Sequence, residues 1–327
     1  MKKILLIATG GTIASKYTEK GLAPQIGASE LLSYVPEAKE FCEIDHIQPF
    51  NLDSTNICAR QWMELAALIE KKYEYYDGFV ICHGTDTMAY TAAALSYLIQ
   101  NNLKPIDLAI TDARANLLDS LRFAAHPKAH GTNIVFGGSV IAGTRAKKER
   151  SKSYNAFSSI NYPDIAVIQD RRIVFYIDDK NHVTDRIRFY HDLDEKVFLL
   201  KLIPGSNASI IDSLCDSVDA LIIESFGVGG LPDYGDDEFY QAIRRFVEKG
   251  KIVIMATQVT HEGSDMTVYQ VGKMIKREFS LLESYDMTLE ATVAKTMWAL
   301  HESTDQNTFR EKFYKKINHD MMFSPEQ

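Results

Sequence analysis

Two apolar segments that each stop at a glycine constrain this chain more than any other feature of its sequence. Residues 4–8 lead into Thr-Gly-Gly-Thr at 9–12, and residues 79–82 lead into His-Gly-Thr-Asp-Thr at 83–87. Short apolar runs bounded by such turns are typical of buried strands. Because ligands bind at the carboxyl ends of strands in an open parallel sheet, we expect the two hydroxyl-rich turns to share one site.

The sequence alternates between strand-like and helix-like segments throughout. In the first half, the pattern predicts strands at 4–8, 43–50, 79–82, 134–136 and 139–141, and helices at 28–34, 60–73, 88–99 and 116–125. In the second half, it predicts strands at 197–203, 220–223 and 252–256, and helices at 209–215, 239–248, 268–275 and 289–299. This alternation predicts an α/β fold with a mainly parallel sheet.

A strongly charged stretch with weak periodicity, residues 178–195, is the predicted linker between two domains. It separates an N-terminal domain, residues 1–177, from a smaller C-terminal α/β domain, residues 196–327. A chain of 327 residues is long enough for two domains at the usual ~100–200 residues each.

Composition narrows the expected partners and compartment. A net charge of −8 argues against a broad nucleic-acid-binding surface. No apolar run approaches the ~20 residues of a membrane span, and residues 4–8 are shorter than the ~7–15-residue core of a signal peptide. The four cysteines form no CxxC pair, which argues against a disulfide framework or zinc site. We therefore expect a cytoplasmic protein without a membrane partner.

The two turns carry groups suited to nucleophilic catalysis. A threonine hydroxyl is a weak nucleophile until a neighbouring group takes its proton. Thr12 follows two glycines, whose backbone N–H groups could bind an oxyanion, and Thr85 with Asp86 adds a second hydroxyl and a carboxylate. A lysine held near Asp86 would complete the set. The charge pattern of the basic stretch does not choose among Lys147, Lys148 and Lys152.

The same residues also have simpler explanations. Gly-Gly-Thr after a strand is usually a plain turn, and Asp86 or Thr87 could cap the helix that follows. The basic stretch is by default a solvated loop. His126 and His130 have i, i+4 spacing, but Pro127 between them disfavours a helical metal pair. The sequence contains no HExxH, Walker A or GxSxG pattern.

Taken together, the two turns resemble the paired signature motifs of bacterial-type L-asparaginases. The resemblance covers residues 9–15 and 83–90, and it extends to 53–56, 112–117, 227–229 and 286–292. Because no signal peptide is predicted, the sequence is more similar to the cytoplasmic (type I) branch of that family. The resemblance implies a two-domain asparaginase-like fold, with a larger N-terminal, mainly parallel sheet domain and a smaller C-terminal α/β domain.

The resemblance also implies roles for individual residues. The implied catalytic residues are Thr12 as the nucleophile, Thr85 as the second hydroxyl, Asp86 as its carboxylate partner, and Lys148 as the lysine that completes the set. The family register from residue 143 to residues 156–157 favours Lys148 over Lys147. The implied substrate contacts are Gly11, Ser54, Thr55, Gly84 and Asp86, with Ser54 and Thr55 on the α-carboxylate and Asp86 on the α-ammonium.

The implied reaction converts L-asparagine to L-aspartate and ammonia through an ester on Thr12, without a metal or organic cofactor. The resemblance further implies a homodimer or dimer of dimers. Within this class there are two alternatives: glutamine is the main substrate, or the chain is the amide-releasing subunit of a transamidation complex. Such a subunit usually has an extra N-terminal domain, whereas this sequence starts at its first predicted strand. A non-catalytic amino-acid-binding protein is another alternative. A nucleotide-binding protein is disfavoured, because no GxGxxG or Gly-Lys-Ser/Thr pattern follows residues 4–8.

The sequence departs from the family pattern after Pro105. Roughly ten residues are missing there, and we expect the missing piece to be a core strand plus a turn that borders the substrate. Loss of a central strand would exceed the ~5–15 kcal/mol stability of a domain unless residues 108–111 or another segment took its place. This departure predicts impaired activity. Val259 also stands where some cytoplasmic members have a cysteine near a regulatory site, so we do not carry allosteric regulation over from the resemblance.

Overall fold

The structure, a computed structural model, describes residues 1–10, 15–18, 21–24, 28–110, 114–153, 155–234, 237–268 and 270–323. Its internal contacts divide the chain into two units. The first comprises Met1–His191 and Ile317–His319, and the second comprises Asp192–Lys316 and Asp320–Gln327. The change of unit after His191 falls inside the predicted linker. The sequence pattern did not predict that three residues near the C-terminus belong to the first unit.

The elements of the first unit follow the predicted alternation. Its strands are β1 (Lys2–Ala8), β2 (Ser15–Thr18), β3 (Gly21–Pro24), β4 (Cys42–Ile47), β5 (Gly78–His83), β6 (Ile99–Gln100), β7 (Ile106–Ile110), β8 (Thr132–Phe136), β9 (Ser139–Ala142), β10 (Ala146–Lys148), β11 (Phe157–Ser159), β12 (Ala166–Gln169), β13 (Arg172–Phe175) and β14 (Arg188–Phe189). Its α-helices are α1 (Ala28–Ser33), α2 (Ala59–Lys72), α3 (Met88–Leu98) and α4 (Arg114–Ala124).

The main sheet of this unit has eight strands among the described residues, in the order β13-β12-β9-β8-β7-β5-β1-β4. The five strands from β8 to β4 run parallel, whereas β9, β12 and β13 continue the sheet in antiparallel pairs. Every residue of β5 and of β7 is buried. A strand covered on both faces has a continuous apolar sequence, which is why residues 79–82 show no alternation. The prediction of a larger, mainly parallel domain is confirmed.

Helices cover the parallel strands of the first unit. The predicted core face of α2 is buried through Trp62, Leu65, Ala66 and Ile69. In α3, almost every side chain is buried, and four of its eleven residues are alanines, whose small side chains let the helix pack closely on all sides. Because α3 starts directly after the second turn, its packing fixes that turn at the end of β5.

The sequence predicted the loss of a core strand after Pro105 unless residues 108–111 or another segment took its place, and the structure shows that such a segment does. Residues 106–110 form β7, which lies between β5 and β8 in the middle of the sheet. In register, Ile106 pairs with Phe79 on one side and with Thr132 on the other. The segment that follows Lys-Pro is therefore itself the core strand. Residues 111–113, which follow β7 and precede α4, lie outside the described ranges.

The second unit is smaller and has its own core. Its elements are β15 (Val197–Lys201), α5 (Ser209–Leu214), β16 (Ala220–Ser225), α6 (Glu238–Glu248), β17 (Ile252–Thr257), α7 (Gln270–Glu278), β18 (Leu282–Glu283), α8 (Leu289–His301) and α9 (Gln306–Tyr314). The four strands form a parallel sheet in the order β15-β16-β17-β18. This arrangement confirms the predicted smaller α/β domain. Within the described ranges, no helix is both long enough and apolar enough to cross a membrane.

Candidate active site

The second hydroxyl-rich turn lies at the carboxyl edge of the main sheet. It follows His83, the last residue of β5, and it ends where α3 begins at Met88. β5 is flanked by β1 and β7, both parallel to it, so the turn lies where the open edge of a parallel sheet binds ligands. The fold therefore places Thr85 and Asp86 where the sequence predicted them.

Helix capping does not account for this turn. Thr87 is the N-cap residue of α3, yet its side chain makes no capping bond. Its hydroxyl instead donates to the carbonyl oxygen of Ser54 at 2.7 Å. The carboxylate of Asp86 binds Lys148. The turn is thus held by long-range bonds, and its carboxylate faces a cation.

Lys148 reaches both motif side chains from a different part of the chain. Its Nζ lies 2.8 Å from the hydroxyl oxygen of Thr85 and 2.5 Å from Oδ1 of Asp86. Lys148 is the last residue of β10, a short strand paired with β11. Successive side chains of a strand point to opposite faces, so Lys147 cannot occupy the same place. An amine in contact with both a hydroxyl and a carboxylate can exchange a proton with either of them.

The segment predicted to hold a substrate carboxylate is tied to this turn through the Thr87 bond to Ser54. Residues Ser54–Asn56 form a 3₁₀ turn capped by Asp53. Oδ1 of Asp53 accepts from the backbone nitrogen of Thr55 at 2.9 Å and from its hydroxyl at 2.8 Å. Both donors of Thr55 are therefore engaged by Asp53. Thr55 can bind a substrate carboxylate in the predicted way only after one of these bonds is exchanged.

The end of β1 is fastened to the end of β5. The backbone nitrogen and the hydroxyl of buried Thr9 both donate to the carbonyl oxygen of Cys82, at 3.1 and 2.8 Å. The next residue, Gly10, has φ +111°, and a Cβ there would lie 2.3 Å from the carbonyl oxygen of Leu52. Only glycine fits this close approach. Gly11 and Thr12 lie outside the described residues, so the role of Thr12 stays a prediction.

Other candidate nucleophiles and metal ligands in the sequence are unsuited to this chemistry. Cys82 lies one residue before His83, but burial raises the pKa of its thiol to about 12, so it stays protonated. His130 faces Asp179 at 3.2 Å rather than His126. In the part of the chain that the structure describes, no three His, Cys, Asp or Glu side chains are grouped to hold a metal ion.

His83 is a residue of this site for which sequence reasoning assigned no role. It is fully buried under the turn, and burial lowers the pKa of its imidazole to about 4. Its ring contacts the Gly84 carbonyl and the Thr91 hydroxyl. The one sequence signal for it was a histidine at the end of an otherwise apolar strand, directly before the motif glycine.

Comparison with known proteins agrees with this architecture. Residues 3–181 match the family described as "Asparaginase, N-terminal", and residues 196–313 match "Glutaminase/Asparaginase C-terminal domain". The L-asparaginase of Thermococcus kodakarensis is 33% identical over 96% of this chain and 98% of its own length. A solved structure of that thermostable enzyme superposes with a TM-score of 0.89 at 32% identity, covering 98% of this chain and all of the other.

Two further relatives cover most of the chain. Escherichia coli (strain K12) L-asparaginase 1 is 30% identical over 95% of both chains. A subunit of the glutamyl-tRNA(Gln) amidotransferase from Pyrococcus furiosus is 33% identical over 92% of this chain and 73% of its own length. The likeness to these relatives extends over both structural units.

Proposed function

The chain belongs to the asparaginase family, and from that premise we propose that it hydrolyses the side-chain amide of L-asparagine to L-aspartate and ammonia. The observation that carries this proposal is the contact of Lys148 Nζ with the Thr85 hydroxyl and the Asp86 carboxylate. The contact joins a hydroxyl, a base and an orienting carboxylate at a sheet edge that is suited to ligand binding.

In the proposed reaction, the hydroxyl oxygen of Thr12 attacks the amide carbon of the substrate. Backbone N–H groups near Gly11 stabilise the negative charge that develops on the carbonyl oxygen. The carbon–nitrogen bond then breaks, and ammonia leaves with the proton that Thr12 gave up. Water next attacks the ester carbon, and its oxygen stays on aspartate while a proton returns to Thr12. No oxidant or reductant is needed.

The Thr85–Lys148–Asp86 set handles the protons of both steps. The Lys148 amine relays the proton of Thr85, and the Asp86 carboxylate stabilises the positive charge on the amine. Lys148 touches both other groups directly, so a proton moves between them without intervening water. The bond from Thr87 to Ser54 couples this set to the segment that binds substrate.

Substrate is proposed to be held at both ends of its α-amino acid group. Asp86 accepts from the α-ammonium, and its side chain is 56% exposed, so one face of the carboxylate stays accessible beside Lys148. Ser54 and Thr55 donate to the α-carboxylate, with Thr55 exchanging a bond from Asp53, and Gly11 and Gly84 contribute backbone contacts. This arrangement selects free amino acids over peptides, because both charged groups are recognised.

Glutamine hydrolysis, as the ammonia source of a transamidation reaction, is the second candidate function. It is favoured by one observation, the 33% identity to a glutamyl-tRNA(Gln) amidotransferase subunit. The alternative of an inactive amino-acid-binding protein rested on the expected loss of a core strand and of a turn that borders the substrate. β7 occupies the place of that strand, which removes the first of these two grounds.

The deciding experiment measures ammonia and amino-acid products from the purified chain with L-asparagine and L-glutamine at equal concentrations. We expect ammonia and aspartate in equal amounts from asparagine, at a kcat at least ~10-fold above that with glutamine, within the usual range of ~1–10³ s⁻¹. Turnover of glutamine alone would favour the second candidate. No ammonia from either amino acid would contradict the proposal.

We also propose a cytoplasmic homodimer or dimer of dimers. The four cysteines are free thiols, which supports a reducing compartment. Light scattering coupled to gel filtration should give two or four times the 36.9 kDa mass of one chain. A mass of one chain at micromolar concentration would contradict the oligomer.

A further inference from the structure

A chain of three hydrogen bonds runs beneath the turn that carries Thr85. The indole Nε1 of Trp62 lies 2.9 Å from the hydroxyl of Thr91, and this hydroxyl lies 2.9 Å from Nε2 of His83. The other ring nitrogen of His83, Nδ1, lies 2.7 Å from the carbonyl oxygen of Gly84. All three side chains are buried, so water does not compete for these bonds.

The two ends of this chain fix the direction of every bond in it. An indole N–H can only donate, and a carbonyl oxygen can only accept. Nδ1 of His83 must therefore carry a hydrogen, which it donates to Gly84. Burial keeps the imidazole neutral at neutral pH, so Nε2 has a lone pair and accepts from Thr91. Thr91 in turn accepts from Trp62, so every bond in the chain has one donor and one acceptor.

We propose that His83 is a positioning residue for the Thr85–Lys148–Asp86 set, acting as the neutral Nδ1–H tautomer selected by Trp62 and Thr91. This inference rests on the proposed function, because it concerns the hydroxyl that the reaction uses. The Gly84 carbonyl belongs to the peptide group whose nitrogen is that of Thr85. Glycine allows several orientations of that peptide, and the His83 bond holds one of them.

The consequence for chemistry is a matter of distance. The Thr85 hydroxyl lies 2.8 Å from Lys148, within the range for proton transfer. Rotation of the Gly84–Thr85 peptide would displace the hydroxyl, and a misplacement of about 1 Å costs on the order of 10²-fold in rate. His83 bonds to Gly84 and Thr91 rather than to Lys148, so its effect is exerted through Gly84.

Two substitutions of His83 distinguish a role in positioning Gly84 from a role in merely filling space. His83→Asn keeps an amide donor near the place of Nδ1 and can still donate to Gly84. His83→Gln has similar polarity, but its amide lies one bond further, near the place of Nε2. We expect kcat to stay within ~5-fold of the wild type for His83→Asn and to fall at least ~50-fold for His83→Gln. If His83 merely filled space, kcat would not be higher in His83→Asn than in His83→Gln.

Thr91→Val tests the tautomer, because it removes the hydroxyl that donates to Nε2 and keeps the side-chain shape. The matched control is Thr296→Val, which removes another buried helix hydroxyl that bonds to a carbonyl four residues back. We expect kcat to fall ~5–20-fold for Thr91→Val and to stay within ~2-fold for the control. In nitrogen-15 NMR of the imidazole at pH 7, the wild type should show the Nδ1–H tautomer and Thr91→Val a mixture.

The outcomes distinguish this inference from the proposed function. An Nε2–H tautomer or an imidazolium in the wild type overturns the inference, and this readout needs no turnover. Equal kcat losses in His83→Asn and His83→Gln, in a wild type that hydrolyses asparagine, also overturn it while leaving the proposed function intact. If either His83 variant fails to fold, wild-type-like turnover and tautomer in Thr91→Val overturn it instead.

Discussion

The amine of Lys148 lies 2.8 Å from the hydroxyl of Thr85, although 63 residues separate the two in the sequence. The ion pair of the same amine with Asp86 is partly exposed, at 20% for Lys148 and 56% for Asp86. Exposed ion pairs typically contribute about 0–1 kcal/mol to stability. The contact is therefore explained by chemistry better than by stability, and the two kinds of effect can be separated by mutation.

Lys148→Met should nearly abolish asparagine turnover, by at least ~10³-fold in kcat, while it changes the free energy of unfolding by less than about 1 kcal/mol. Methionine keeps much of the side-chain length and removes the proton-carrying amine. Lys147→Met is the matched control, since its side chain leaves the strand on the other face, and it should keep near-normal kcat with stability within about ±0.5 kcal/mol. Loss of turnover in the Lys147 variant with normal turnover in the Lys148 variant would show that our assignment is off by one residue.

Thr12→Val should also remove turnover, by at least ~10³-fold, because it deletes the hydroxyl that we propose as the nucleophile and keeps the shape of the side chain. The variant should fold normally and show an unchanged melting temperature. Mass spectrometry of rapidly quenched wild-type enzyme should detect the acylated chain, and the variant should not acylate. Wild-type turnover in Thr12→Val would exclude the ester mechanism.

Sequence reasoning located the fold and the second turn because their signals are local. β5 is a continuous apolar run that stops at glycine, and α3 begins a few residues later. The family register was needed to choose Lys148, because charge pattern treats neighbouring lysines alike. β10, which carries Lys148, has three residues and two of them are lysines, so no periodicity marks it as a strand.

Other features could not be predicted because they depend on contacts between separate elements. β7 was not among the predicted strands because the departure from the family pattern after Pro105 was interpreted as a lost strand, with residues 108–111 named only as a possible replacement. The bonds beneath the turn join three elements: His83 ends β5, Thr91 lies 8 residues later in α3, and Trp62 lies 29 residues before Thr91 in α2. Only the folded sheet with its covering helices brings these three side chains together.

Insertion of a family-like segment of about ten residues after Pro105 should destabilise the protein. If a core strand were missing there, the same insertion would instead stabilise it. The inserted residues would lie directly before β7 and would disturb its pairing with β5 and β8 in the centre of the sheet. The same segment placed between residues 110 and 114, after β7 has ended, should leave the melting temperature within a few degrees. Equal melting temperatures for the two insertions would contradict the central position of β7.

Gly10→Ala should destabilise the first unit by about 2 kcal/mol or more, because a Cβ would clash with the Leu52 backbone at a positive φ. Gly131→Ala is the control in the same unit, with φ +72° and a Cβ neighbour no closer than 3.3 Å on a side chain. This control should lower the free energy of unfolding by about 1–2 kcal/mol, because alanine disfavours a positive φ. Urea unfolding followed by Trp62 fluorescence in a Trp298→Phe background would report this unit. Equal costs for the two variants would exclude the clash.

The buried carboxyl of Asp107 makes the stability of the first unit depend on pH. It is fully buried in β7, Oδ1 accepts from Asn133 at 3.0 Å, and Oδ2 has no hydrogen-bond partner among the described residues. Burial, only partly offset by the Asn133 bond, raises the pKa of this carboxyl well above 3.8. At pH values between 3.8 and the raised pKa, the folded state therefore holds a proton that the unfolded state has released. Stability must fall as pH rises from about 4 through the raised pKa, since the unfolded state binds fewer protons there.

Asp107→Asn removes this titration and keeps an oxygen for Asn133, so the variant should be more stable than the wild type by more than about 1 kcal/mol at pH 7. Its advantage should shrink as pH falls towards 4, where the wild-type carboxyl is neutral in both states. Asp45→Asn is the control: Lys3 and Tyr76 hydrogen bonds lower the pKa of Asp45, so its removal should cost stability by an amount that does not vary between pH 5 and 8. Urea unfolding of the first unit at several pH values in this range measures both. A pH-independent effect of Asp107→Asn would show that Asp107 is ionised in the folded protein, and that an unseen partner compensates its buried charge.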